Sequence, residues 1–260
     1  MKFGDYIDDI ARSTGFLSRL PVPDRFFSGY DGGMGRAVGA FPIAGLLITI
    51  PSAAIFVVLR MASTEPLLAA MIALAVQTLL TGALHEDGLS DTADGVGGGQ
   101  TRERALEIMR DSRIGSYGAS ALVISYGIRA AALASIAALL NPIQAGLCLV
   151  AVAALSRTAM VWHWSALPPA RRDGVAASAG LPEADAVKAA SVFACVIAVV
   201  ALWPAAGLVP MFAAFAASIA ASWAMTTYIR SRLGGHTGDT IGATQQCAEM
   251  AALCSLALAL

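Results

Sequence analysis

Three carboxylates recur at i, i+4 and i+7 in the stretch His85-Glu86-Asp87-Gly88-Leu89-Ser90-Asp91-Thr92-Ala93-Asp94-Gly95. On a helix that spacing puts Asp87, Asp91 and Asp94 within roughly 60° of arc, one above another. Like charges held so close repel unless a cation lies among them. Hard oxygen donors at this spacing suit one or two Mg²⁺ or Mn²⁺ ions, and Mg²⁺ ordinarily completes its shell with water and substrate phosphate. The plainer reading is a solvated acidic stretch. No Lys or Arg stands among these acids, and they follow directly on an apolar run, which weighs against it. Gly88, Gly95 and Gly97 to Gly99 would let a bulky phosphorylated substrate approach the backbone, or simply end the helix. Their order is not a nucleotide-binding fingerprint.

Two further clusters share this chemistry. In Glu107, Arg110, Asp111, Ser112, Arg113 and Gly115, the two arginines lie a turn apart and could clamp phosphoryl oxygens, with Asp111 orienting them. Ordinary membrane anchoring would also place arginines there. The second cluster is Arg232-Leu233-Gly234-Gly235-His236-Thr237-Gly238-Asp239-Thr240. His236 could accept a proton from an attacking hydroxyl, and Asp239 could bind a metal or orient a ribose. Thr237 and the glycines leave room for a ligand.

The elements that must hold these groups are apolar. Hydrophobic residues make up 57% of the 260 and charged residues 13%, with a mean hydropathy of +0.68. A water-soluble fold of this size would lack the charge to cover its surface. The net charge of -1, with no basic stripe, argues against a nucleic-acid partner. Charge-poor runs cover residues 37–59, 66–84, 117–140 around Arg129, 142–164 around Arg157, and 189–229. A bilayer core takes about 20 helical residues, so the last run is expected to fold back near residues 204–210. This predicts an all-α, polytopic transmembrane helical bundle with six crossings, or seven if residues 243–260 also span, as a single domain over 1–260. The runs lack the period-two alternation of a barrel strand.

With the N-terminus cytoplasmic, every Lys and Arg outside the crossings except Arg60 falls on the inner side, including Lys2 and Arg172. Glu65 is the outer acid. Acids barely influence topology, so their gathering on the inner face points to chemistry there. Phe3, Ile7, Ile10, Phe16, Leu17 and Leu20, alternating with charges before Pro21 and Pro23, predict an N-terminal amphipathic helix on the membrane surface. Asp5, Asp8 and Asp9 tell against a cleavable signal. Gly32-Gly33 offers a flexible approach to the first crossing. Trp162 and Trp164 read as interfacial anchors, the four scattered cysteines as small apolar residues, and Gly118 as a packing residue. Arg129 and Arg157 interrupt crossings and are expensive unless they face the bundle interior. Arg129 is expected to pair with a buried polar group, and Arg157, near an inner helix end, to reach a phosphate.

Together these motifs resemble the adenosylcobinamide-GDP ribazoletransferase family, also called cobalamin synthases. The resemblance rests on Phe16-Leu-Ser-Arg-Leu-Pro-Val-Pro23, Arg36 with Phe41-Pro42 and Gly45, and Thr81-Gly-Ala-Leu-His85. It continues through Asp87-Gly-Leu-Ser-Asp-Thr-Ala-Asp-Gly95, Glu107-Ile-Met-Arg-Asp-Ser-Arg-Ile-Gly115 and Gly235-His-Thr-Gly-Asp-Thr240, then Gln245-Gln246. Ala83 stands where the family often has glycine, and Glu86 where it often has an apolar residue. The resemblance implies a Mg²⁺-dependent enzyme of a bacterial inner membrane, working on the cytoplasmic face. A 3'-hydroxyl of alpha-ribazole, or of its 5'-phosphate, would attack the cobinamide-bound phosphate of adenosylcobinamide-GDP and release GMP. For such a transfer, spacing and membrane side suggest Asp87, Asp91 and Asp94 as metal ligands and Asp239 as a further ligand or substrate orienter. His85 or His236 would be the base, with Arg36, Arg110, Arg113, Arg157 and Thr237 contacting substrate or phosphate. The inner loops also offer surface to a second copy or to other cobalamin-pathway proteins.

Rival readings are another Mg²⁺-dependent membrane transferase and a small transporter. A CDP-alcohol phosphotransferase would follow its Asp-Gly shortly with Ala-Arg, where this chain has Leu89-Ser90. An aromatic prenyltransferase would present two acidic motifs, whereas the Glu107 to Gly115 cluster here is mixed with arginine. A transporter would place ionisable residues at mid-membrane and show an internal repeat.

Overall fold

The structure, a computed structural model, describes residues 3–30, 33–171 and 173–260, with only the backbone of Phe3, Gly4 and Val175. Lys2, Gly32, Arg172 and the Phe3 side chain therefore lie outside it. The described residues are helical, without strands, and a single isolated bridge pairs Pro169 with His236. The amphipathic segment forms α1 (Phe3–Leu17), ending ahead of Pro21 and Pro23 as expected. It packs on a 3-10 turn (Ala37–Ala40) and on α2 (Phe41–Met61), with Leu17 buried and Ser13 Oγ donating to the Ala37 carbonyl at 2.8 Å.

Five segments are long and apolar enough to cross a membrane. They are residues Ala37–Met61, which contain α2, then α6 (Ser116–Leu139), α7 (Pro142–Ala166), α9 (Ala184–Ala206) and α10 (Leu208–Leu233). The apolar run at 189–229 folds back as expected, and the break falls on Gly207, whose φ of 91° suits glycine. The all-α polytopic bundle is thus the observed architecture. Leu79, Val123, Val209 and Trp223 stand exposed on its flanks, where lipid would replace water as the apolar solvent.

The second predicted crossing takes a different form. Residues Pro66–Thr81 form α3, whose 16 residues rise about 24 Å, short of the roughly 30 Å hydrocarbon core. The chain then bends by 90° into α4 (Leu84–Gly98). The bend is made by Gly82 (φ 62°) and Ala83 (φ 59°), both left-handed. A side chain at the second position strains that conformation, which accounts physically for a glycine preference there. A 22-residue interior helix, α11 (Gly238–Ala259), stands where the seventh crossing was expected. It buries Gln245, Gln246 and Glu249 against α10, α4, α7 and α6, which is why its composition is less apolar than that of the lipid-facing helices.

The central helix is α7, with 83% of its most apolar window buried against 28–44% for the other crossings. Small residues permit this. A Cβ on Gly146 would meet Val57 at 2.6 Å, and one on Gly45 would meet Arg157 Cδ at 3.0 Å, so α2 and α7 approach through glycine. The start of α7 is set by Pro142 in its first turn and by a capping box of Asn141 and Gln144. Two short helices, α5 (Arg102–Ile108) and α8 (Val175–Ser178), complete the end of the bundle that carries α4.

Candidate active site

The site is built where α4 crosses α11. At Gly242 of α11 a Cβ would meet His85 Cα at 3.4 Å and Gly88 Cα at 3.5 Å. On α4, a Cβ at Gly88 would lie 2.7 Å from the Asp239 carbonyl oxygen. Gly88, read in the sequence as space for substrate or as a helix end, serves the helix crossing together with Gly242, and the two bring Asp87 and Asp91 toward Asp239. The Thr237 side chain caps α11 reciprocally with Thr240 and also donates to Asp239 Oδ2 at 3.1 Å. Asp239 pairs in addition with Arg171 at 3.1 Å. The 234–239 turn and the segment after α7 are joined by hydrogen bonds from Ala170 N to His236 O and from His236 N to Pro168 O, both 2.8 Å. Residues about 150 positions apart therefore share one end of the bundle.

Charge at this crossing is unbalanced. Asp87 is exposed and Asp91 half-buried on α4, beyond the bend that ends the apolar segment. Burial, then the neighbouring Asp87, Asp239 and Asp94 charges, push the Asp91 carboxyl up to about 7, with Arg171 opposing the rise. Among the described residues no three His, Cys, Asp or Glu side chains stand close enough to chelate a metal by themselves. Mg²⁺ is commonly held by only one or two carboxylates, with substrate phosphate and water completing its shell. Asp87 and Asp91, one turn apart with Asp91 carrying an unrelieved charge penalty, fit that pattern.

Asp94 is occupied differently. Its carboxylate accepts the Gly115 and Gly118 N–H groups at 2.7 and 2.8 Å and so caps the start of α6. Gly118 is a packing residue, as its sequence context suggested, because a Cβ would collide with Asp94 and Ser90. The far end of α4 is held by Arg232, which donates to the Val96 and Gly99 carbonyls at 3.0 and 2.8 Å.

The two candidate bases are both buried. His236 is 1% exposed with neither ring nitrogen partnered among the described residues, and burial lowers its pKa to about 4, so the ring is neutral. His85, also 1% exposed, has an unpartnered Nε2, and burial together with the Arg157 and Arg129 charges holds its pKa well below the ordinary value.

The candidate arginines disperse. Arg36 is held bidentately by Asp9 at 2.9 Å and faces a separate cavity of about 500 Å³ beside α1. Arg110 pairs with Asp173, and Arg113 with Asp111, in exposed contacts. Asp111 thus holds only one of the two arginines between which it stands. Arg157 does not reach the inner surface. It is fully buried and bonds Glu249 at 3.0 Å, because the approach of Gly45 seals it inside the bundle. Arg129 does find buried polar partners, Glu86 at 3.3 Å and Glu249 at 3.2 Å. Glu86 and Glu249 are groups that the sequence left without a role. Arg171, read only as a topology signal, is the arginine that reaches the acidic site, and its Nη1 is buried without a partner. A basic residue just past a crossing looks alike whether it anchors or binds, so the sequence carried no signal for it. Trp164 is not an interfacial anchor either: it is 1% exposed, between Phe41 and His236.

Three adjoining cavities surround the crossing. One of about 230 Å³ is lined by Arg171, His236, Thr237 and Asp239. A second, of about 430 Å³, shares Asp239 and adds Asp87, His85, Phe16 and Trp164. The third, about 240 Å³, shares Asp87 and adds Asp91, Ser112 and Tyr126.

A family profile described as cobalamin-5-phosphate synthase matches residues 9–257. Relatives named adenosylcobinamide-GDP ribazoletransferase include one from Rhizobium etli (strain CIAT 652), 57% identical over the full length of both chains. Another, from Rhizobium meliloti (strain 1021), is 58% identical over 97% of each chain. A third, from Azorhizobium caulinodans, is 44% identical over 97% of this chain and 96% of its own. No solved structure matches.

Proposed function

The chain belongs to the cobalamin-5-phosphate synthase family, and from that premise we propose that it is an adenosylcobinamide-GDP ribazoletransferase, joining adenosylcobinamide-GDP to ribazole to complete cobalamin. The kinship across the whole chain carries this reading, and the convergence of α4, residues 168–171 and the 234–239 turn supports a site at their meeting. The ribazole hydroxyl forms a new bond to the cobinamide-bound phosphorus, the bond from that phosphorus to the bridging oxygen breaks, and GMP leaves with the electron pair. His236 accepts the hydroxyl proton. It is preferred to His85, which is also neutral, because it lines the same cavity as Arg171, whose Nη1 has no partner among the described residues. Arg171 binds a phosphoryl oxygen there, and Thr237 and Asp239 orient the attacking sugar.

Asp87 and Asp91 would hold Mg²⁺, which when bound supplies positive charge to the phosphate oxygens. Asp239, which accepts Arg171 and Thr237 as hydrogen-bond donors, acts as an orienter, and Asp94 is left to its helix cap. We place the site on the cytoplasmic face of a bacterial inner membrane, supported by the Lys and Arg gathered at the α4 end of the bundle. Purified protein incubated with both substrates tests the reading by GMP release across a Mg²⁺ titration. Asp91→Asn should weaken the metal dependence. Full activity of that variant with an unchanged Mg²⁺ requirement would remove Asp91 from the metal site.

A further inference from the structure

The cavity of about 430 Å³ differs from its two neighbours. Apart from His85 and the carboxylates of Asp87 and Asp239, its lining is apolar or glycine and includes Phe16 of α1 and Trp164 of α7. Its volume lies in the range of about 300–1,000 Å³ usual for small-molecule sites. Two residues that line it carry a buried ring nitrogen without a hydrogen-bond partner among the described residues, His85 Nε2 and Trp164 Nε1. Both side chains are 1% exposed. A buried unpaired donor or acceptor costs free energy that water or a ligand must offset, so partnerless groups in a native interior call for a ligand atom.

The chemistry of the wall selects the ligand. Aromatic faces and few polar groups suit a flat, mostly apolar heterocycle with one or two ring nitrogens. A guanine, which carries a carbonyl, an amide N–H and an amino group, would leave most of its polar edge unpaired against Phe16, Met160 and Ile241. Resting on the transferase reading above, we infer that this cavity is the subsite for the base of the ribazole substrate, a benzimidazole-class bicycle, bounded by Phe16 and Trp164. A ring nitrogen would then meet His85 Nε2 or Trp164 Nε1. The ribose, leaving toward Asp239, reaches the neighbouring cavity of His236 and Arg171, because Asp239 lines both. The subsite also gives α1 a function: a surface helix closes the base pocket over the acidic crossing.

The test uses full-length protein in detergent. Free 5,6-dimethylbenzimidazole and, separately, GMP are titrated calorimetrically and used as inhibitors of GMP-releasing transfer. Steady-state constants are measured for wild type, Phe16→Ala and Trp164→Phe. The free base should compete with ribazole and not with adenosylcobinamide-GDP. Both variants should raise the KM for ribazole about five- to tenfold, the loss expected for one neutral hydrogen bond or one stacked ring, with kcat and the other KM within about twofold. If a variant loses its fold, the wild-type competition pattern decides alone. Competition of the base with the GDP-linked substrate, or with neither, overturns the assignment while leaving the transferase reading intact. Base binding that weakens in both variants, in a protein without transfer activity, would retain the pocket and refute the activity. Base binding unaffected by either variant overturns the pocket in every case.

Discussion

The substitution Glu249→Gln tests how α4 is fastened to the bundle. Four ionised side chains, all at most 5% exposed, form a closed group: Glu249 bonds Arg129 at 3.2 Å and Arg157 at 3.0 Å, and Arg129 bonds Glu86 at 3.3 Å. Two guanidinium and two carboxylate charges balance. Glutamine preserves the volume but leaves two buried cations facing one anion, and breaking a buried pair by removing one partner costs about 3–5 kcal/mol. At about 2–4 °C per kcal/mol for a chain near this size, the melting temperature should fall on the order of 10 °C. Thermal unfolding in detergent, followed by tryptophan fluorescence, reads the shift. Charge balance returns in the double variant Arg129→Gln/Glu249→Gln, whose loss should be smaller than the sum of the single losses by about 1–3 kcal/mol. Glu86 immediately precedes Asp87, so the single variant should also lower turnover. A fall of less than about 2 °C, or strict additivity of the two single variants, would refute a coupled buried network.

Asp91 makes stability depend on pH in an unusual direction. Its folded pKa of about 7 lies above the ordinary 3.8, so its contribution is intact below about pH 4 and is lost as pH rises through 7. Without divalent cation the melting temperature should therefore drop between pH ~5 and ~8, Mg²⁺ should restore it at the higher pH only, and Asp91→Asn should flatten both responses. Gly88→Ala would set a Cβ 2.7 Å from the Asp239 carbonyl and must part α4 from α11, so transfer should fall more than about tenfold. Gly98→Ala, whose Cβ would meet nothing nearer than 3.4 Å, should stay within about twofold of wild type and serves as its control. Arg171→Ala should raise the KM for adenosylcobinamide-GDP and depress kcat, whereas Arg113→Ala, exposed and paired only with Asp111, should leave both unchanged in the same assay.

Much of this molecule is written locally. The run lengths of apolar residues, the glycine at the turn between α9 and α10, the prolines beyond α1 and the one-turn spacing of Asp87 and Asp91 each depend on neighbours within a few positions. They could therefore be read without coordinates. The motifs spread from Phe16 to Gln246 likewise mark the family without coordinates. The bend at Gly82-Ala83 was less visible, because an αL pair carries little hydropathy signal and the run continues apolar through it.

The tertiary structure decided which charges share a space. Arg157 and Arg171 lie just 14 positions apart, yet one is sealed against Glu249 and the other faces Asp239. Their local sequence sets one inside an apolar run and the other past its end, but it names the partner of neither. The difference comes from Gly45 closing over the first and from the pairing of 168–170 with His236, which carries the second to the site. Asp94, the same residue type on the same helix face as Asp91, was claimed by the N–H groups at the start of α6. Helical periodicity sets the direction in which a side chain leaves its own axis, whereas its partner comes from whichever segment the rest of the chain packs opposite, a relation between distant positions that only the folded bundle contains.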